Sequence, residues 1–276
     1  MKALVLKSLN KIPTVINVPT PKPIIDEVLV KVAYCGVNRV DLGLLSGRFG
    51  HSVIFPHIMG SEVAGTLSNG RKVAVNPYLH CNKCLYCQKK EYLLCKNGRP
   101  LLGVQTNGGY AEFVVVPKDN LVSIPEEMPL DQAASVILSA STAYRMINTK
   151  AKLKTNDIAI ITAAGSGVGI YACQIAKLHD VFVIGLTGKS DKEKKLKVFK
   201  VNETINYSDC NWVNNLKNLL DRKEANILID TVGGQIMEKI IPLLSPSAKI
   251  VTCGATENPR TQIDLIDFYM KQKTLI

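Results

Sequence analysis

Apolar positions in residues 1–124 fall in short runs broken by Pro and Gly: EVLVKVAY (27–34), SEVAGTLS (61–68), RKVAV (71–75) and AEFVVVP (111–117). Runs of this length between turn formers predict strands. Asn69-Gly70 separates the second run from the third. That dipeptide accommodates the positive φ values of a tight turn, so 61–75 is predicted to form a hairpin. The opening MKALVLKSLNK has a short apolar run and no small-residue cleavage site, which predicts a first strand rather than a leader.

From about residue 125 the pattern changes. Residues 130–148 show helical spacing, and IAIIT (158–162) is continuously apolar, as a strand buried on both faces must be. The helix VGIYACQIAKL follows, and VFVIGL (181–186), ANILID (225–230) and AKIVTC (248–253) repeat the strand theme with helical stretches between. This alternation predicts an α/β doubly wound parallel sheet preceded by a β-rich domain. The expected boundary divides the chain into 1–124 and 125–276.

AAGSGVG links the strand at 158–162 to its helix, with glycines at Gly165, Gly167 and Gly169. Glycines there permit a tight turn and bring backbone N–H groups at a helix N-terminus close to a pyrophosphate. A glycine-rich hexamer alone says little; its position between strand and helix points to a dinucleotide. NAD sites place Asp or Glu at the end of the next strand, to accept from the ribose 2′-OH. That strand ends Ile184-Gly185-Leu186-Thr187-Gly188-Lys189 and carries no acid. A 2′-phosphate could pair with Lys189 or Lys192, which favours NADPH over NADH.

The net charge of +11 raises nucleic acid as a partner, but much of the lysine lies in KSDKEKKLKVFK (189–200), which reads as a solvated helix face. No nucleic-acid module accompanies it. No run is long and apolar enough to span a bilayer. The expected location is the cytoplasm, with no membrane or nucleic-acid partner.

Cys81, Cys84, Cys87 and Cys95 read C-x2-C-x2-C-x7-C. Four thiolates this close can enclose one tetrahedral ion and leave no coordination position open, the pattern of a structural zinc. Disulfides are disfavoured in a cytosolic chain. The bacterial ferredoxin run has a shorter last gap and a proline after its final cysteine, whereas Lys96 follows here. Cys35, Cys173, Cys210 and Cys253 are scattered and read as buried or semi-buried free thiols. The histidines fit no ligand spacing, and His51 and His57 read as surface or loop residues.

These motifs, together with CGVNRVDL (35–42), GSEVAG (60–65), GGYAEFVVVP (108–117), STAY (141–144), INY (205–207) and DTVGG (230–234), resemble the medium-chain dehydrogenase/reductase superfamily over essentially the whole chain. That superfamily holds zinc alcohol dehydrogenases and zinc-less quinone oxidoreductases. The resemblance implies a GroES-like domain (1–124) with a structural zinc lobe (81–95), then a Rossmann domain (125–276), with the active site between them. Family members using a catalytic zinc present Cys, His and a further Cys or carboxylate at positions occupied here by Asn38, Ser61 and Leu138. Asn, Ser and Leu do not make a zinc set. Asn38 in G-V-N-R-V-D resembles the quinone oxidoreductase branch.

The resemblance implies reduction of a quinone or an α,β-unsaturated carbonyl by NADPH. Asn38 would orient the nicotinamide ribose or donate to substrate, Thr142 would pack near the nicotinamide, and Ser61 would be a weak donor. Gly167 and Val168, with Gly165 and Gly169, would contact the pyrophosphate. Thr187, Gly188, Lys192 and Tyr207 would surround the 2′-phosphate, and Val232 and Gly254 would line the path to the nicotinamide; Tyr207 reads equally as a core residue. Two other readings stay open: an alcohol dehydrogenase with an atypical metal site, and a non-catalytic dinucleotide-sensing protein. The family continues past the point matching FYMKQKTLI, so a segment that closes the Rossmann domain and contributes to dimerisation is expected to be absent, and a homo-oligomer is expected if that segment is not essential.

Overall fold

The computed structural model describes residues 1–48, 53–97, 100–221 and 223–276; His51 lies outside them. Contacts divide the chain into two units, Met1–Leu138 and Ser139–Ile276.

The first unit holds β1 (Lys2–Leu6), β2 (Thr14–Asn17), β3 (Glu27–Gly36), α1 (Arg39–Leu45), β4 (His57–Ile58), β5 (Glu62–Thr66), β6 (Lys72–Val75), α2 (Leu85–Gln88), β7 (Phe113–Pro117), β8 (Leu121–Ser123) and α3 (Leu130–Val136). A five-stranded sheet runs β7-β3-β5-β6-β8, and a three-stranded one runs β2-β1-β4. Alternation explains the packing of β7: Val114 and Val116 point into a core with Val30, Val63, Val73 and Val75. The predicted hairpin is β5–β6, paired antiparallel from Ala64↔Ala74 to Thr66↔Lys72. Its turn differs from the expected one. Gly70 alone of the dipeptide takes positive φ (+83°), and Asn69 Oδ1 accepts the Arg71 N–H at 3.1 Å. With Gly70 N–H donating to Leu67 O at 2.9 Å, this is a three-residue loop ending in a left-handed glycine.

The second unit holds α4 (Ser139–Tyr144), a π-helical stretch (Arg145–Ala151), β9 (Ile158–Ile161), α5 (Gly167–Leu178), β10 (Phe182–Thr187), α6 (Ser190–Val198), β11 (Glu203–Asn206), α7 (Trp212–Leu220), β12 (Ile227–Asp230), α8 (Gly234–Ile240), β13 (Lys249–Thr252), α9 (Leu265–Met270) and β14 (Thr274–Leu275). Its strands run β11-β10-β9-β12-β13-β14, all in parallel pairs. In chain order from β9 this is 3-2-1-4-5-6, the doubly wound order whose reversal lies between the first and fourth strands.

The continuous apolar runs are explained by alternation into two cores. Ala159, Ile161, Val183, Ile227, Ile229 and Val251 pack with Ala172, Cys173 and Ala176 of α5. Ile160, Ile184, Leu186, Leu228 and Ile250 pack on the other face with Trp212 and Leu216 of α7 and Met237 and Ile240 of α8.

Contacts divide the chain after Leu138, with α3, beyond the expected boundary at residue 124, packing on β3 and β5 of the first unit. The helical spacing of 130–148 is thus split between the units. One expectation is corrected: Cys210 and Cys253 are exposed rather than semi-buried, while Cys173 is buried and Cys35 half-buried. The elements that the pattern did not predict include α9 and β14. Short α9 and β14 close the order at the sheet edge, fixed by the buried Lys273, whose Nζ donates to Ile241 O at 2.6 Å and pairs with Asp267 Oδ2 at 2.7 Å. Lys271 and Lys273 together hold the Asp267 carboxyl below its ordinary range. Among the described residues no helix is long and apolar enough to cross a membrane.

Burial pushes the Cys173 thiol from 9.0 up to about 12. Between those values the unfolded chain releases this proton and the folded chain keeps it, so stability falls as pH rises through that window. Urea unfolding from pH 9 upward is expected to show the parent losing about 1.4 kcal/mol per pH unit more than Cys173→Ala. Equal slopes would show that Cys173 ionises as an ordinary thiol.

Candidate functional site

In the first unit, β3 and β5 pair so that Gly36 lies opposite Glu62. Asn38 and Ser61 therefore leave the sheet at the same end. Asn38 is the N-cap of α1: its Oδ1 accepts the Val40 N–H at 3.1 Å, and its own N–H donates to Asp41 Oδ2 at 2.8 Å, completing a capping box. The same Asp41 oxygen accepts the Tyr110 hydroxyl at 2.7 Å. Asp41 and Glu62 are each 3% exposed. Burial pushes the Asp41 carboxyl up, against the hydrogen bonds from Asn38 and Tyr110 that pull it down. Burial, then the Asp41 charge, also pushes the Cys35 thiol up.

Ser61 and His57 depart from expectation. Ser61 is fully buried and its hydroxyl donates to Leu102 O at 2.6 Å, so its one proton is committed inside the fold. It cannot serve as a donor to substrate. His57 is no surface residue: it is 3% exposed, its Nε2 lies 3.1 Å from Gly103 O, and burial lowers its pKa.

The four lobe cysteines converge. The Sγ–Sγ distances are 3.5 Å for Cys81–Cys95, 3.6 Å for Cys84–Cys87, and 3.9 Å for Cys81–Cys87 and Cys84–Cys95. A tetrahedron with zinc–sulfur bonds of about 2.3 Å has edges of about 3.8 Å, and a disulfide would need about 2.05 Å. The donor set therefore fits Zn²⁺. Among the described residues it is the one group of three or more His, Cys, Asp or Glu side chains placed to hold a metal. Backbone N–H groups of Cys87 and Lys96 pull the Cys84 thiol down to about 6. Burial, then the neighbouring thiols, pushes Cys87 up to about 12. Held as four thiolates this close together, they would need a cation between them. The lobe is rooted by the buried Asn120, whose amide donates to Asn76 O (2.8 Å) and Tyr78 O (3.0 Å). The Asn82 side chain also donates to Asp119.

In the second unit, Ser166 caps α5 by accepting the Gly169 N–H at 3.2 Å. A Cβ on Gly169 would stand 2.2 Å from Ala163 O, so only glycine lets the helix sit this close to the strand end. Ala163 itself holds φ +45°. A Cβ on Gly165 would meet Lys192 Cδ at 2.7 Å, and one on Gly188 would meet the Tyr207 ring at 2.6 Å. Gly165, Gly188, Lys192 and Tyr207 are thus gathered at the C-terminal ends of β9 and β10, beside the start of α5. Thr187 is buried at the end of β10, and Val168 packs against the core. Gly167 lies against Ser139 of α4, the helix that carries the half-buried Thr142.

Val232 and Gly254 follow β12 and β13, and a residue the sequence reading left as part of a motif organises them. Asp230 is fully buried. Its carboxylate accepts Thr162 Oγ1 (2.7 Å), Gly233 N–H (2.9 Å), Val232 N–H (3.3 Å) and Thr252 Oγ1 (3.3 Å). It ties together the ends of β9, β12 and β13. The available signal was an acid at the end of an apolar strand, which must find donors if the strand is buried.

Two family models match the chain: the alcohol dehydrogenase GroES-like domain over residues 25–126 and the zinc-binding dehydrogenase over residues 167–276. An NAD-dependent alcohol dehydrogenase of Sulfurisphaera tokodaii is 30% identical over 273 residues, covering 92% of this chain and 78% of that protein. The chain belongs to the medium-chain dehydrogenase/reductase superfamily. It therefore sits among NAD(P)-dependent oxidoreductases. Human quinone oxidoreductase is 28% identical over 240 residues, 87% of this chain and 67% of that protein. A crystal structure of an NAD-dependent alcohol dehydrogenase superposes with a TM-score of 0.92 at 28% identity, covering all of this chain and 84% of that one.

Gly169→Ala is expected to cost about 1–3 kcal/mol in urea unfolding, because the methyl meets backbone rather than a movable side chain. Gly70→Ala supplies the reference: nothing lies within 4 Å of its Cβ, so only the penalty at φ +83° applies, about 1 kcal/mol. A smaller loss at Gly169 than at Gly70 would contradict the close-packing role.

Proposed function

We propose that this superfamily member reduces a quinone or an α,β-unsaturated carbonyl with NADPH, that it does so without a catalytic zinc, and that its one zinc holds the 81–95 lobe. The observation that carries the reading is the chemistry at the three positions where zinc-using relatives present ligands. Asn38 offers a carboxamide whose oxygen is tied to Val40 N–H, the Ser61 hydroxyl donates to Leu102 O, and Leu138 is a buried hydrocarbon. None of these competes with thiolate or imidazole for zinc.

NADPH, when bound, supplies the hydride. The residues of this chain bind and orient. Backbone N–H groups at the start of α5 receive the pyrophosphate, with Gly165, Gly167, Val168 and Gly169 allowing its approach. Lys192 and Tyr207, beside Gly188 and Thr187, hold the 2′-phosphate. Val232 and Gly254 shape the route to the nicotinamide, with Thr142 packed near its ring. Asn38 orients the nicotinamide ribose or donates to the acceptor. Conjugated acceptors suit this set, since charge arriving on their oxygen needs a hydrogen-bond donor rather than a Lewis acid. The resemblance to quinone oxidoreductases supports this acceptor class.

Turnover of NADPH against a panel of quinones and enones, with metal analysis of the same preparations, tests the reading. NADPH oxidation, one zinc per chain, zinc retained in Asn38→Ala and zinc lost in Cys87→Ser are expected. Tight NADPH binding with no oxidation across the panel would replace the enzyme with a dinucleotide sensor. Two zinc per chain, one of them lost on changing Asn38, would make it an alcohol dehydrogenase with an atypical metal site.

Lys192→Ala tests the cofactor assignment separately. Losing a charge-assisted hydrogen bond to phosphate is expected to weaken NADPH binding about tenfold or more while leaving NADH nearly unchanged. A parent that prefers NADH, as the name of the Sulfurisphaera relative suggests for that protein, would remove the role given to Lys192.

A further inference from the structure

We propose that Tyr110 and Asp41 are positioning residues that hold Asn38 for the reaction, an inference that rests on the role given to Asn38 above. The geometry centres on one oxygen. Asp41 Oδ2 accepts the Asn38 N–H at 2.8 Å and the Tyr110 hydroxyl at 2.7 Å. The other carboxylate oxygen, Oδ1, is buried without a hydrogen-bond partner. The Asn38 N–H and the Tyr110 hydroxyl on Oδ2, with the Gly60 N–H, therefore orient the carboxylate.

Asn38 gains its geometry from the same arrangement. Its N–H is held by Asp41 and its Oδ1 by Val40 N–H, so backbone and side chain are both fixed by the first turn of α1. That helix spans only Arg39–Leu45, and Asp41 and Leu44 are its buried residues. A seven-residue helix has little stability of its own. Its start is located by what Asp41 reaches, and Tyr110 is 69 positions away in sequence. The Tyr110 ring packs against Gly60, where a Cβ would meet Cδ1 at 2.8 Å, and its backbone N–H donates to Met59 O at 2.9 Å. Tyr110 is thus anchored to the segment entering β5, and its hydroxyl passes that anchorage to Asp41 and on to Asn38.

A structural role alone would lower stability without acting through Asn38. The test is a double-mutant cycle on the full chain with NADPH and benzoquinone. Tyr110→Phe removes one hydroxyl and keeps the ring against Gly60. It is expected to lower kcat about tenfold through misplacement of Asn38, with zinc content unchanged. In an Asn38→Ala background the same change is expected to have no further effect on kcat.

Asp41 gives a second route should Tyr110→Phe fold poorly. Asp41→Asn keeps an oxygen that can accept from both donors and is expected to stay within about threefold of the parent, whereas Asp41→Ala falls about tenfold or more. Parent-like kcat in Tyr110→Phe, multiplying effects of Tyr110→Phe and Asn38→Ala, or equal kcat in Asp41→Asn and Asp41→Ala would each overturn the positioning role. Parent-like kcat in Asn38→Ala would remove the role of Asn38 and this proposal with it. A slow Asn38→Ala beside a parent-like Tyr110→Phe would remove the proposal alone.

Discussion

The central strands of the second unit are covered on both faces, and most of what the chain can bind follows from that. Ile160, Ile161, Leu228 and Ile229 are each at most 1% exposed. Burying a side chain of this size contributes about 1.5–3 kcal/mol. The strands can keep this burial only while helices cover each face, as α5 does on one side and α7 and α8 on the other. Parallel pairing then sends every connection over the top of the sheet, and the C-terminal ends of the strands become the place where loops can carry chemistry. The glycine turn after β9 and the Asp230 turn after β12 stand on either side of the reversal between those strands.

Two buried carboxylates do related work with different support. Asp230 receives four donors on two oxygens and is built into the ends of three strands. Asp41 receives its two close donors, the Asn38 N–H and the Tyr110 hydroxyl, on one oxygen, with only the Gly60 N–H as further support. A buried carboxylate is costly unless hydrogen-bonded. The first is thus a rigid part of the sheet, while the second depends on a tyrosine hydroxyl and one helix start. The difference separates residues that keep the fold from residues whose placement can be changed without dismantling it.

Much of this was legible in the chain because the relevant signals are local. Strand β9, the turn after it and α5 are contiguous, so apolar run, glycines and helix could be read in one window. The cysteine cluster spans 81–95 and announces its geometry by spacing. What escaped depended on distant partners. Ser61 reads as a free hydroxyl until Leu102 O is placed 2.6 Å from it. His57 reads as a loop residue until β4 pairs with β1 and buries it. β14 has two exposed residues and no pattern to find, and it exists because Ile250 offers it an edge. The division after Leu138 was hidden for a related reason, since helical periodicity cannot say which sheet a helix packs on.

The two places where the superfamily puts zinc ask opposite things of a sequence. A structural site must satisfy the ion completely, and Cys81, Cys84, Cys87 and Cys95 offer four sulfurs for that within one short loop. A catalytic site must leave a position open and so needs strong ligands in the rest. Asn38, Ser61 and Leu138 supply a neutral amide oxygen already in use, a hydroxyl already donating and a hydrocarbon. The same chain thus keeps a donor set that fits a structural ion, while two of the other three positions are engaged in hydrogen bonds and the third is a hydrocarbon. On the function proposed above, the chemistry at that end is hydride addition to a conjugated acceptor, which a positioned donor can assist because the charge it creates is spread over several atoms.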